Sequence, residues 1–136
     1  MIYKSNFYVY YADTDAGGVV YHSKYIDFCE KCRTDFLRDS NLSQIKLRDE
    51  NDLLFVVSSM NVKFKSPAKL EDFLTITIDN ISYCGCKLVF FQSIFNQRNE
   101  LLFTAEITVV AINNQYKLYR KIPEFILNSL NISTQN

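Results

Sequence analysis

The chain predicts an α+β domain: an antiparallel sheet folded against one principal helix. Three observations lead there. Tyr25, Phe28, Cys29, Cys32 and Phe36 recur at three- and four-residue intervals, the period of one helix face, while Lys24, Glu30, Lys31 and Arg38 point elsewhere. Four strand-like runs then follow without an intervening helix, at 53–65, 73–83, 87–96 and 101–112, and helix followed by strands alone is the α+β order. In the last run Leu102, Thr104, Glu106 and Thr108 alternate with Phe103, Ala105, Ile107 and Val109, as in a sheet buried on one side.

The remaining elements fall into place around these. Residues 3–11 are rich in aromatics, with Phe7 and Val9 on one side and Tyr8 and Tyr10 on the other, and predict a first strand. Gly17 and Gly18 then permit a tight bend, after which Ser23 could cap the helix. Asp39, Ser40 and Asn41 end that helix, and Leu42, Ile45 and Leu47 support a short second one. Pro67, the Cys84-Gly85 pair, the polar 97–99 stretch and Asn113-Asn114 separate the strands, with hairpins expected at Gly85 and Asn99. Pro123 opens a short terminal helix carrying Phe125, Ile126, Leu127 and Leu130, and 133–136 should fray. Residues 53–57 and 88–91 are apolar on both faces. One helix covers one face, so the other is expected to meet a second subunit.

With 136 residues the chain suits one domain over 1–136, and a domain near this size buries about 68% of the surface its unfolded chain exposes. Fifteen basic and fifteen acidic residues leave no formal net charge. Nothing in that balance calls for nucleic acid or an anionic membrane surface. The longest apolar run, residues 7–12, falls far short of the ~20 residues that span a bilayer, and no signal-peptide core follows the start, so a cytoplasmic location is expected. Four cysteines there should remain reduced thiols. Cys29-x-x-Cys32 and Cys84-Gly85-Cys86 raise a metal site, but the first pair lies on the apolar helix face and the second has one intervening residue. Buried hydrophobic packing accounts for them, and no metal is expected.

The chemistry concentrates between Tyr10 and Phe36, which hold the only histidine, two of the three glycines and the pair Asp13 and Asp15. A helix start presents unpaired N–H groups and partial positive charge, so a carbonyl placed there is polarised. A carboxylate facing such an electrophile suits ester or thioester hydrolysis: Asp15 attacks or activates water, and amides near His22 hold the oxyanion. Asp13 reads as a structural residue of the loop. The single histidine and the lack of any Gly-x-Ser-x-Gly argue against a Ser-His-Asp hydrolase. Two basic clusters, Lys63, Lys65 and Lys69, and Lys117, Arg120 and Lys121, are candidates for phosphate. Eleven Phe and nine Tyr could line an acyl channel, although core and interface are their ordinary use.

The run Asp13-Thr14-Asp15-Ala16-Gly17-Gly18-Val19-Val20-Tyr21-His22, with Tyr25 after it, resembles the signature of the 4-hydroxybenzoyl-CoA thioesterase family, in particular its YbgC-like acyl-CoA thioesterase branch. The likeness continues through residues 55–57, Lys65-Ser66-Pro67-Ala68 and 100–110. It implies the hot-dog fold, a curved antiparallel sheet wrapped around one long helix, and a homo-oligomer, dimer or tetramer, with sites between subunits. It also implies Asp15 as the catalytic carboxylate and the helix-start amide at His22 as oxyanion donor. Some members carry tyrosine at the His22 position. Gly18, Val19, Tyr21 and Tyr25 are the signature residues expected at the substrate, with Lys63 and Lys65 toward coenzyme A. No cofactor is implied beyond the coenzyme A of the substrate; acyl carrier protein is an alternative carrier. Two rivals remain at this point, a non-catalytic acyl-CoA sensor and a hot-dog dehydratase, whose His-acid pairing this chain lacks.

Overall fold

The computed structural model describes residues 1–132; the fraying expected at 133–136 lies outside them. The order is β1 (Tyr3–Tyr8), a one-turn 3-10 helix (Tyr11–Asp13), α1 (His22–Asp39), α2 (Gln44–Asn51), β2 (Leu54–Phe64), β3 (Phe73–Cys84), β4 (Lys87–Phe95), β5 (Leu101–Ile112) and α3 (Glu124–Ser129). The first strand is shorter than the 3–11 run suggested, because the backbone turns at Tyr11 to begin the loop that holds Asp13 and Asp15. Ser23 does not cap α1. The helix starts one residue before it, Tyr21 takes the cap position, and no side chain bonds there.

The five strands form one antiparallel sheet in the order β1-β3-β4-β5-β2. Register sorts each strand into two rows. Phe7, Ile76, Ile94, Phe103 and Phe64 fall on one face, together with Phe90, Ile107 and Met60. That face meets α1, whose predicted row Tyr25, Phe28, Cys29, Cys32 and Phe36 is buried throughout. The ring of Phe28 stacks 5.8 Å from Phe7, Phe36 lies 5.3 Å from Tyr3, and Tyr25 lies 5.2 Å from Phe103. Each such side chain contributes about 1.5–3 kcal/mol when fully buried. Arg33 and Leu37 are buried on α1 as well, and a strict apolar-face reading of the sequence does not find the arginine.

Register shifts, the last of them between Ile94 and Phe95 of β4 against β5, curve the sheet around the helix. The register of β2 against β5 shifts between Val57 and Ser59, and that of β3 against β4 between Ile78 and Asn80. At the second, the Asp79 carboxylate accepts hydrogen bonds from Thr77 Oγ1 at 2.7 Å and Ser93 Oγ at 2.6 Å. Gly85 and Asn99, both at positive φ, close the two hairpins where the sequence placed them.

Candidate active site

The loop between β1 and α1 is a small hairpin tied down at both ends. Asp13 holds its base: its carboxylate accepts the Tyr10 N–H at 2.9 Å and its carbonyl accepts the Tyr21 N–H at 2.9 Å. Thr14 and Val20 form a bridge, and Asp15 N–H donates to the Val19 carbonyl at 2.9 Å. Gly18 N–H returns to the Asp15 carbonyl at 3.1 Å with φ at 79°, a left-handed conformation that glycine takes without strain. Asp15 is exposed at this turn. Its Oδ1 accepts the Gly17 N–H at 2.8 Å, and among the described residues Oδ2 has no partner. One oxygen therefore fixes the carboxylate while the other stays free.

The same hairpin sets the start of α1 against the exit of β2. Val20 N–H donates to the Ala68 carbonyl at 2.9 Å, Val19 bridges Lys69, and the Ala68 N–H donates to the buried Tyr25 hydroxyl at 2.9 Å. Burial raises the Tyr25 hydroxyl pKa; the Ala68 N–H opposes that rise, and the charge of Asp15 adds to it. The nucleophile candidate is thus near enough to act electrostatically on a residue one turn into the helix. Among the described residues the His22 N–H has no acceptor, which is the condition for donation to a ligand. The exposed His22 imidazole lies against the Tyr21 ring at 4.2 Å.

A cleft of about 290 Å³ opens here, lined by Val20, His22, Tyr25, Phe64, Lys65, Ser66 and Pro67. Of the expected site residues, His22, Tyr25 and Lys65 line this cleft, while Asp15, Gly18, Val19 and Tyr21 stand on the turn that leads into the helix start and are not part of its wall. Lys63 goes elsewhere. It lines a separate cavity with Asp79 and Glu106 on the outer face of the sheet, because β2 ends at Phe64 and the strict alternation that paired the two lysines stops there. Lys117, Arg120 and Lys121 stand at the opposite end of β5, beside the Gly85 hairpin. Phe64, Ser66 and Pro67 are cleft walls not picked out as site residues; the proline that ends the strand was the available signal. Burial pushes the Cys29 thiol to about 12 and that of Cys32 to about 11, which keeps both protonated at neutral pH.

A curved antiparallel sheet around one long helix, with a carboxylate-bearing turn against the helix start, defines the class: this is a hot-dog α+β protein. Residues 9–130 match the thioesterase-like superfamily. The acyl-CoA thioester hydrolase YbgC of Escherichia coli O6:H1 is 44% identical over 119 residues, covering 88% of each chain. The acyl-CoA thioesterase YbgC of Helicobacter pylori is 31% identical over 131 residues, covering 90% of this chain and 96% of its own. The crystal structure of Slr0204, a 1,4-dihydroxy-2-naphthoyl-CoA thioesterase from Synechocystis, superposes with a TM-score of 0.86 over 95% of both chains at 22% identity, a likeness of fold. The chain belongs to the thioesterase-like superfamily and, within it, to the YbgC acyl-CoA thioesterases.

Proposed function

We propose that this thioesterase cleaves acyl-CoA at the Asp15 turn, with the His22 N–H holding the developing oxyanion. The observation that carries the proposal is a carboxylate oxygen without a partner among the described residues, Asp15 Oδ2, on the turn that leads into a helix-start N–H without an acceptor at His22, a residue of the cleft wall. A carbonyl oxygen at the His22 N–H is polarised by the helix start. Asp15 then adds to the carbonyl carbon directly or deprotonates a water that does so. The C–S bond breaks, coenzyme A leaves as a thiolate that takes a proton from solvent, and the acyl group ends as a carboxylate. By the direct route water subsequently opens the acyl-aspartyl anhydride. Tyr25 acts as a positioning residue that fixes the 65–68 wall through Ala68. Lys65, which lines the cleft, meets phosphate oxygens of coenzyme A in this reading, or those of a carrier-protein pantetheine arm. No cofactor beyond the substrate's coenzyme A is invoked.

The same reading includes a homo-oligomer. β2 is an 11-residue edge strand whose helix-facing residues Val57, Met60 and Phe64 are 48%, 48% and 53% exposed. An open, apolar edge of this length is a pairing surface, and a second copy aligned on it would roof the cleft. Among the described residues no helix is long and apolar enough to cross a membrane. The four free thiols suit a reducing compartment, which supports the cytoplasm.

The test is thiol release, followed with a thiol-reactive dye across short, long and aromatic acyl-CoA substrates, for wild type and Asp15→Asn. Wild-type turnover lost in a folded Asp15→Asn supports the assignment. Bound acyl-CoA left intact by the wild type sinks it and leaves the sensor reading.

A further inference from the structure

Arg33 is 7% exposed, yet among the described residues no carboxylate lies within 4 Å of it. Its one hydrogen bond runs from Nη1 to Gln92 Oε1 at 2.9 Å, and Gln92 Nε2 in turn donates to the Cys29 carbonyl at 3.1 Å. With one neutral amide as its hydrogen-bond partner, the guanidinium keeps Nε and Nη2 free of protein acceptors among the described residues and open to solvent, and the Glu30 charge acts on it from the helix surface, so an anion entering from the cavity side finds unused donors. Its surroundings supply room for one. A cavity of about 130 Å³ borders Arg33, between α1 and the inner rows of β2, β4 and β5, where Leu37, Phe55, Val57 and Phe90 form apolar walls.

That cavity and the cleft at His22 lie along one seam. α1 packs over β1, β3 and β4 and leaves Val57, Met60 and Phe64 of the inner row of β2 about half exposed. Phe64 lines the cleft, Phe55 and Val57 line the Arg33 cavity, and Met60 and Val62 stand between them on the same row. Along α1, His22 and Arg33 are separated by about 16 Å at 1.5 Å per residue, and helical side chains lean back toward the N-terminus. The guanidinium therefore reaches toward the reacting end, and a medium-length chain starting at the His22 N–H ends beside it.

We propose that the acyl chain lies in this seam and that Arg33 selects CoA thioesters whose far end carries a carboxylate, the monothioesters of dicarboxylic acids. The proposal rests on the Asp15–His22 turn being where the thioester sits. Glu30 also lines the cavity and opposes an anion. Its carboxylate is exposed and accepts from Thr34 Oγ1 at 3.3 Å, so water screens it more than it screens the Arg33 guanidinium set back between α1 and the sheet.

The test compares suberoyl-CoA with octanoyl-CoA, equal in chain length, by calorimetric titration into Asp15→Asn and by thiol release with wild type. Suberoyl-CoA should bind at least about ten-fold more tightly, as a charge-assisted pair gives. Arg33→Met should bring the ratio to about one while octanoyl-CoA binding stays within about two-fold, and Glu30→Gln should raise the ratio. Equal or tighter binding of octanoyl-CoA in the parent protein overturns the proposal without needing any Arg33 variant to fold. So does an unchanged ratio in folded Arg33→Met, including the case where that variant merely dissociates the oligomer. If wild type releases no thiol from any substrate the hydrolase reading fails, and the binding ratio still decides this one.

Discussion

Replacing Tyr25 by Phe removes one oxygen and leaves the ring between Phe64 and Phe103, whose centroids lie 5.5 and 5.2 Å from it. That oxygen is the acceptor for the buried Ala68 N–H at 2.9 Å. Among the described residues this N–H has no other acceptor, so the substitution strands a buried donor, which costs about 1–3 kcal/mol. An unfolding entropy of about 2.1 cal/mol/K per residue over 136 residues is about 0.29 kcal/mol/K. Tm should therefore fall by about 3–10 °C, read by thermal denaturation at fixed protein concentration. Because Ala68 also accepts the Val20 N–H, the wall at 65–68 should loosen and kcat/KM should drop more than the melting shift alone explains. A Tyr25→Phe protein that melts within 1 °C of wild type would falsify the claim that this hydroxyl holds the β2 exit against α1.

Gly17 and Gly18 should separate function from stability. A Cβ on Gly17 would sit 3.2 Å from Asp15 Oδ1, so Gly17→Ala should cut thiol release with little change in Tm; full activity refutes the role given to that carboxylate. Gly18→Ala meets no atom within 4 Å but forces alanine to φ 79°, a strain of about 1–2 kcal/mol visible as a lower Tm. Charging the exposed β2 row by Met60→Lys should shift the protein to monomers in sedimentation and abolish activity, and an unchanged assembly would show that the edge is not the interface. The buried thiols carry a pH prediction. Both native pKa values, about 12 for Cys29 and about 11 for Cys32, lie above the ordinary 9.0, so the native state keeps protons the unfolded chain loses. Their contribution is whole below pH 9 and declines above it, by up to about 1.4 kcal/mol per pH unit for each thiol. Denaturation midpoints should fall between pH 9 and 11, and less steeply in Cys29→Ala/Cys32→Ala; parallel curves would contradict the burial.

Much of the molecule was determined by local pattern. The three- and four-residue spacing from Tyr25 to Phe36 fixed the buried face of α1, and the alternation from Leu102 to Val109 fixed which side of β5 meets it, because both periods are set by backbone geometry alone. Gly85 and Asn99 marked their hairpins for the same reason. The motif from Asp13 to His22 located the turn and the helix start, since a carboxylate, two glycines and a following helix lie within one short stretch of chain. Pairing between distant segments was decided elsewhere. Lys63 and Lys65 share parity but not a site, because β2 ends between them and the chain leaves the sheet. Asp15 is anchored by Gly17 beside it, yet its neighbourhood depends on Val20 and Tyr25 meeting Ala68, a contact between residues more than 40 positions apart. Arg33 is the clearest case. In the sequence it is one charge on a helix, and only the sheet closing over α1 takes most of its surface from solvent and sets it beside a cavity, because burial is a property of the packed whole.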